Sequence, residues 1–309
     1  MRLMITMLGA VACLAGSAAE AKAASDPVVL ASYPAPAFLE NLTLASDGAV
    51  LFTSYLGKTI ERIGPDDAVT RFATLDVHPV SILPYRDGFL VAAHRIEFTA
   101  GPSFLGSGEL IMLDAEGKAT SRVALPQAGF ANGMLMLVDG SVLIADSGAG
   151  AILRFYPASG KIETFFQDTR LAPSAPPAFL PGANGLKRMG DRLIISSSAA
   201  KTLFSLPLSA TGVPAGPMTV LAEGLAGADD FVVLPEGGLI VATHGTSVVR
   251  IMADGSRTTL IDDPRLAGNT ALAVRGSGAD RALLILGTGG LAEGRNEPGV
   301  VMAVPLPEA

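Results

Sequence analysis

Six times along this chain a short apolar run, a glycine-bearing turn and a second apolar run follow one another. The pairs are Asn41 to Ser46 with Ala49 to Ser54, Val80 to Tyr85 with Phe89 to Ala93, and Gly133 to Val138 with Ser141 to Ala145. Gly185 to Met189 with Arg192 to Ser196, Phe231 to Leu234 with Gly238 to Thr243, and Ala271 to Arg275 with Arg281 to Leu286 complete the set. Asp47-Gly48 and Asp139-Gly140 read as two-residue hairpin turns, because glycine supplies the positive φ that such a turn requires. Third runs follow at Thr59 to Ile63, Ala151 to Phe155 and Ser247 to Ile251, and fourth runs at Val69 to Phe72, Lys161 to Phe165 and Arg257 to Leu260. Four antiparallel strands recurring at roughly 40 to 50 residues mark a β-propeller, and the count is six blades. After the sixth hairpin only Val300 to Val304 remains, so Val28 to Ala31 is expected to supply the missing strand and close the ring. Closure removes an exposed sheet edge. A β-sandwich with extra strands is the competing architecture.

The first 23 residues read as an address. Arg2, the apolar run Leu3 to Gly16 and the Ala21-Lys22-Ala23 site have the layout of a secretory signal peptide. Residues 24–309 are then one six-bladed domain in the periplasm or outside the cell. The single cysteine, Cys13, falls in the leader, which leaves no thiol catalyst, iron–sulfur centre, Cys-based zinc site or disulfide in the mature chain. No later segment supplies about 20 uninterrupted apolar residues, so no membrane span is expected. With 29 acids against 22 bases and no basic run, nucleic acid is not an expected partner.

One polar residue stands where each first strand begins: Glu40, His78, Asn132, Asn184, Asp229 and Asn269. First strands line the channel of a propeller, so these six should gather at one mouth. A returning second strand ends on the same face, which brings Tyr55, His94, Asp146, Ser197, His244 and Thr288 there too. All three histidines are thereby placed on one face. Carboxylates with amide carbonyls suit Ca²⁺, whereas imidazoles with carboxylates suit Zn²⁺. The plainer role for any one of them is to cap loop backbone. Three further features read as structure only. Gly287 to Gly290 has no following helix to cradle phosphate, Ser196-Ser197-Ser198 lacks a nucleophile elbow, and Pro173 to Pro181 is a stiff connection.

Ala131-Asn132-Gly133-Met134, Asp139-Gly140, Ile144-Ala145-Asp146-Ser147 and Ile152 to Phe155 resemble the most recognisable blade of the regucalcin, gluconolactonase and luciferin-regenerating enzyme family, also called senescence marker proteins. Ala183-Asn184-Gly185-Leu186 and Gly227-Ala228-Asp229-Asp230 repeat the theme. The resemblance implies one divalent metal, most often Ca²⁺, held by Glu40, Asn132 or Asn184, and Asp229. It implies a lactone or ester substrate, with the metal polarising the carbonyl and the aspartate acting as general base. Asp229 is followed by Asp230 where the family has glycine, so either carboxylate is a candidate ligand and catalyst. Phe38-Leu39-Glu40-Asn41 is closer to fungal relatives that guide cyclisations without a hydrolytic metal. On that alternative His94 and His244 carry the chemistry. A third reading is a propeller that binds a small ligand or a protein partner without turnover.

Overall fold

The computed structural model describes residues 26–97, 105–175, 180–291 and 293–306. The expected leader, residues 1–23, lies outside them, as does part of the Pro173 to Pro181 connection. Among the described residues twenty-four strands form six sheets of four, with sequential neighbours paired antiparallel. The sixth sheet runs, from its outer edge inward, Val28–Tyr33, Gly299–Pro305, Ala282–Gly287 and Asn269–Arg275. The N-terminal strand thus closes the ring by pairing with the C-terminal one, from Val28 opposite Ala303 to Tyr33 opposite Gly299. Among the described residues there are only single 3₁₀ turns besides strands, and no helix is long and apolar enough to cross a membrane.

Alternation within each strand explains the ring. In blade three, Val142 and Ile144 pack with Leu90 and Leu110 of blade two, while Leu143 and Ala145 pack with Leu186 and Leu193 of blade four. Each blade therefore buries both faces, and six apolar clusters fill the six gaps between neighbours. Burial is greatest at the second strands and falls towards the outer edge. The outermost strands Val69–Thr74 and Ala119–Leu125 are mostly exposed, whereas the second strands Val50–Ser54 and Val142–Asp146 are buried almost throughout.

The Asp47-Gly48 and Asp139-Gly140 turns are longer than two residues, whereas Tyr85 pairs directly with Gly88 and Met189 with Arg192 across two-residue loops. Gly48 N–H donates to Ala45 C=O at 3.0 Å while Ala45 N–H donates to Ala49 C=O at 2.8 Å, and Gly140 closes the same loop against Leu137. This is a three-residue loop with a glycine bulge. Gly48 and Gly140 sit at φ +81° and +78° with open space where a Cβ would stand, so glycine is needed there for its dihedral and not for room. The Asp47 and Asp139 carboxylates accept from the backbone N–H two residues on, which fixes the turn.

The innermost strands are Leu39–Leu44, His78–Tyr85, Ala131–Met136, Ala183–Met189, Phe231–Val233 and Asn269–Arg275, each touching its neighbours around the axis. In five of them the pairing with the second strand shifts register near the start: between Leu39 and Leu42, Pro79 and Ser81, Ala131 and Met134, Ala183 and Leu186, and Asn269 and Leu272. Such a bulge frees a residue from the ladder and re-aims its side chain. Glu40, Asn132 and Asn184 all fall within these shifts.

Candidate functional site

The six slot residues divide four to two. Glu40, Asn132, Asn184 and Asp229 are brought together at one mouth of the channel, each 7% exposed or less. Asn132 Nδ2 donates to Glu40 Oε1 at 3.2 Å, and the Asn184 amide donates to the Asp229 carboxylate. The other two serve the backbone. His78 Nδ1 meets Tyr55 C=O at 3.0 Å. Asn269 accepts from Thr243 N–H at 2.7 Å and donates to Gly245 C=O at 2.6 Å.

Asp229 precedes its strand and is held by its own backbone: its N–H reaches Ala242 C=O at 3.0 Å, and its C=O accepts from Gly185 N–H and from the Ser196 hydroxyl. Its side chain is 2% exposed, yet among the described residues Oδ2 has no hydrogen-bond partner. His244 Nε2 stands 3.3 Å from that oxygen but out of line for a bond. Desolvation, then repulsion from Glu40, Asp230 and Glu293, holds the Asp229 carboxyl well above the usual range. Burial pushes Glu40 up to about 7, against the lowering effect of the Asn132 hydrogen bond, with Asp230 adding repulsion. The mouth therefore gathers carboxyl groups whose ionisation its own hydrogen bonds do not support.

Ser198, read from the sequence as a plain strand end, joins these groups. Its hydroxyl donates to Ala228 C=O at 3.1 Å and accepts from Asn184 Nδ2 at 3.1 Å. Its remaining partner, His244 Nε2 at 3.0 Å, must then be the donor. Serine and aspartate both meet the same histidine nitrogen, so this is not a nucleophilic triad, in which they would flank the ring. Glu293 was also not singled out from the sequence, since it lies in the loop before the last strand, far from any repeat signal.

The remaining candidates lie elsewhere. His94 is fully buried and stacked on Phe130 at 4.4 Å. Its Nε2 meets Ala131 C=O and its Nδ1 meets Ser107 Oγ, both at 3.1 Å, and burial lowers its pKa to about 4. It supports the strand carrying Asn132 and is not brought to the mouth. Asp230 faces the opposite end of the channel, with Oδ1 2.5 Å from Lys187 Nζ. Tyr55, Asp146, Ser197 and Thr288 are engaged by backbone groups.

Among the described residues no three His, Cys, Asp or Glu side chains converge on one point as a metal group. A cation at the mouth would have to draw on the amide oxygens of Asn132 and Asn184 as well. The donor set of two carboxylates and two amides fits such an ion, and the unpartnered Asp229 Oδ2 is the atom that asks for one.

No protein-family model matches the chain, and a search of curated proteins finds no match. Solved structures are similar over almost the whole chain. A luciferin-regenerating enzyme has a TM-score of 0.67 at 17% identity, covering 91% of this chain and 96% of that one. A calcium-binding regucalcin from Agrobacterium tumefaciens has 0.64 at 20%, covering 91% and 97%. A gluconolactonase from Xanthomonas campestris has 0.67 at 14%, covering 91% and 89%. The likeness is one of fold. The six-bladed architecture that the repeats and the resemblance implied is the one observed.

Proposed function

We propose that the chain is a metal-dependent hydrolase of a lactone or ester, with one Ca²⁺ at the channel mouth held by Glu40, Asn132, Asn184 and Asp229. The observation that carries this is the buried, unpartnered Asp229 Oδ2 beside a second buried carboxylate. Two anions kept out of water without a counter-charge are costly, and a bound dication removes that cost. The oxygen-only donor set favours Ca²⁺ over Zn²⁺, since His244 Nε2 is committed as a donor. The names of the similar structures, a calcium-binding regucalcin and a gluconolactonase, support the same reading.

The bound ion would supply Lewis-acid polarisation of the carbonyl. The rest of the reaction falls to this chain's own groups. Asp229 takes the proton of a water as its oxygen attacks the acyl carbon. The ring C–O bond then breaks, and the leaving oxygen recovers that proton from Asp229. His244, neutral because burial lowers its pKa to about 4, keeps Nε2–H on Ser198 and its edge against Asp229. Asp230, neutralised by Lys187, takes no part.

The test is metal content of the dialysed protein, with lactone turnover measured with and without chelator. One equivalent of Ca²⁺ in the wild type, absent from Asp229→Ala and Glu40→Ala, with chelator-sensitive turnover, is the expected result. A wild type that takes up no metal when Ca²⁺ or Zn²⁺ is added overturns the mechanism. Stoichiometric Ca²⁺ without turnover of any lactone or ester would leave a ligand-binding propeller.

A further inference from the structure

The channel has a chamber at its other end. On the face opposite Glu40 and Asp229 it widens into a cavity of about 780 Å³, within the range of small-molecule sites. Between the two ends, neighbouring inner strands pack backbone to backbone. A Cβ on Gly185 would lie 2.5 Å from Asp230 Oδ1 and 3.0 Å from Asp229 C=O, and one on Gly133 would collide with Asn184 C=O.

Apolar side chains from successive inner strands wall this chamber, among them Leu42, Leu135, Val232, Leu272 and Val274. Against them blade four sets two adjacent cations. The Lys187 side chain is 31% exposed and its partner Asp230 only 6%, so the ammonium stands between that carboxylate and the open space. Arg188 spends Nε on Gly190 C=O at 2.9 Å, and among the described residues its terminal nitrogens make no hydrogen bond. A third lining cation, Arg281, is answered by Glu236 outside the chamber. In a chain of net charge −7, a lining with three cations and one carboxylate is a local reversal of sign.

We propose that this chamber binds an amphipathic monocarboxylate. Its head group accepts charge-assisted hydrogen bonds from Lys187 and Arg188, and its hydrocarbon body lies along Leu135, Val232 and Val274. Leu135, Val232 and Val274 are partly solvent-exposed, so covering them drives binding, while the cations select an acid over a neutral chain.

Calorimetric titration of the full chain with octanoate tests this, with 1-octanol and inorganic phosphate as comparators. Octanoate is expected to bind, and each comparator at least about tenfold more weakly. Arg188→Gln should weaken octanoate about tenfold, as loss of one charge-assisted hydrogen bond does, and Leu135→Asp should abolish binding. Lys187→Met should act like Arg188→Gln. Because it strands Asp230, Arg188→Gln at the exposed rim carries the test if Lys187→Met does not fold. Asp229→Asn should leave octanoate affinity unchanged, because none of the quartet lines this cavity. No octanoate binding by the wild type overturns the proposal, as does octanol or phosphate binding equally well. So does binding that is lost in Asp229→Asn but kept in Arg188→Gln and Leu135→Asp, which would place the acid at the other mouth.

Discussion

Two aspartates on the same face of the ring are buried to the same degree and treated in opposite ways. Asp146, at the end of the second strand of blade three, accepts four backbone N–H groups, from Gly129, Phe130, Gly148 and Ala149, at 2.8 to 3.1 Å. Its charge is matched by fixed dipoles, and it staples two loops. Asp229, two blades on, keeps one oxygen with no hydrogen bond and has Glu40, Asp230 and Glu293 around it. The histidines repeat the contrast. Both nitrogens of His94 are engaged in a sealed stack on Phe130, whereas His244 is 18% exposed at the mouth and touches the quartet through one nitrogen. Burial alone therefore does not mark a site; what the burial leaves unsatisfied does.

The contrast breaks most visibly when each aspartate is removed. Asp146→Ala removes four hydrogen bonds to a carboxylate, the one from Phe130 N–H buried, and is expected to cost about 4 kcal/mol or more, read as a lower midpoint in urea. Asp229→Ala relieves repulsion, so the metal-free protein should lose no stability while Ca²⁺ binding disappears. A chelator-treated Asp229→Ala protein that melts well below the chelator-treated wild type would show that Asp229 is a structural staple like Asp146.

Acid sharpens the histidine half of the comparison. His94 stays neutral in the folded protein down to a pH of about 4, whereas an unfolded histidine takes up its proton near 6.5. Its contribution is whole above pH 6.5 and is lost as the pH falls towards 4, on the order of 3 kcal/mol. His244, lowered to about 4 by the same burial, adds a slope of the same sign. His94→Gln, whose amide can still donate to Ala131 C=O, should flatten part of the stability profile between pH 6.5 and 4. An unchanged profile in urea melts would count against a neutral, buried His94.

Gly185 stands between the chamber and the quartet. A methyl group there would press on Asp230 Oδ1 and Asp229 C=O, so Gly185→Ala is expected to cost about 2 kcal/mol and to weaken Ca²⁺ through the displaced Asp229 backbone. Gly140→Ala strains a turn dihedral far from the mouth, and should lower stability with Ca²⁺ affinity unmoved.

Much of this architecture was legible because it is periodic. The six hairpins, the closing strand Val28–Tyr33 and the polar slot all rest on alternation or recurrence, which a sequence displays directly. The strands that complete blade two, Gly108–Leu113 and Ala119–Leu125, follow a long connection and were not singled out. The slot itself was only half informative, because recurrence cannot tell a side chain aimed at the axis from one capping a loop. Asn269 and Asn184 look alike in sequence, yet one is consumed by Thr243, Gly245 and Ser247 and the other reaches Asp229. Asn41, noticed in the sequence only as the neighbour of Glu40, binds blade two by accepting from Ile82 N–H at 3.1 Å. Contacts of this kind join residues far apart in the chain, and no local pattern encodes them.

Ser198 is the smallest and sharpest case. A serine in a run of three at a strand end carries no motif, and its role comes wholly from Asn184, Ala228 and His244 converging on one hydroxyl. Ser198→Ala removes the acceptor that orients the Asn184 amide and the one that fixes the His244 tautomer. It should cost about 1 kcal/mol in stability and weaken Ca²⁺ about tenfold, as loss of a group that orients a ligand does. Ser197→Ala, one residue away with its hydroxyl accepting from Ala200 N–H, should leave Ca²⁺ affinity unchanged. If calorimetry finds the two variants equal in Ca²⁺ affinity, the amide of Asn184 is positioned by its bulged strand alone, and the hydroxyl is only a cap.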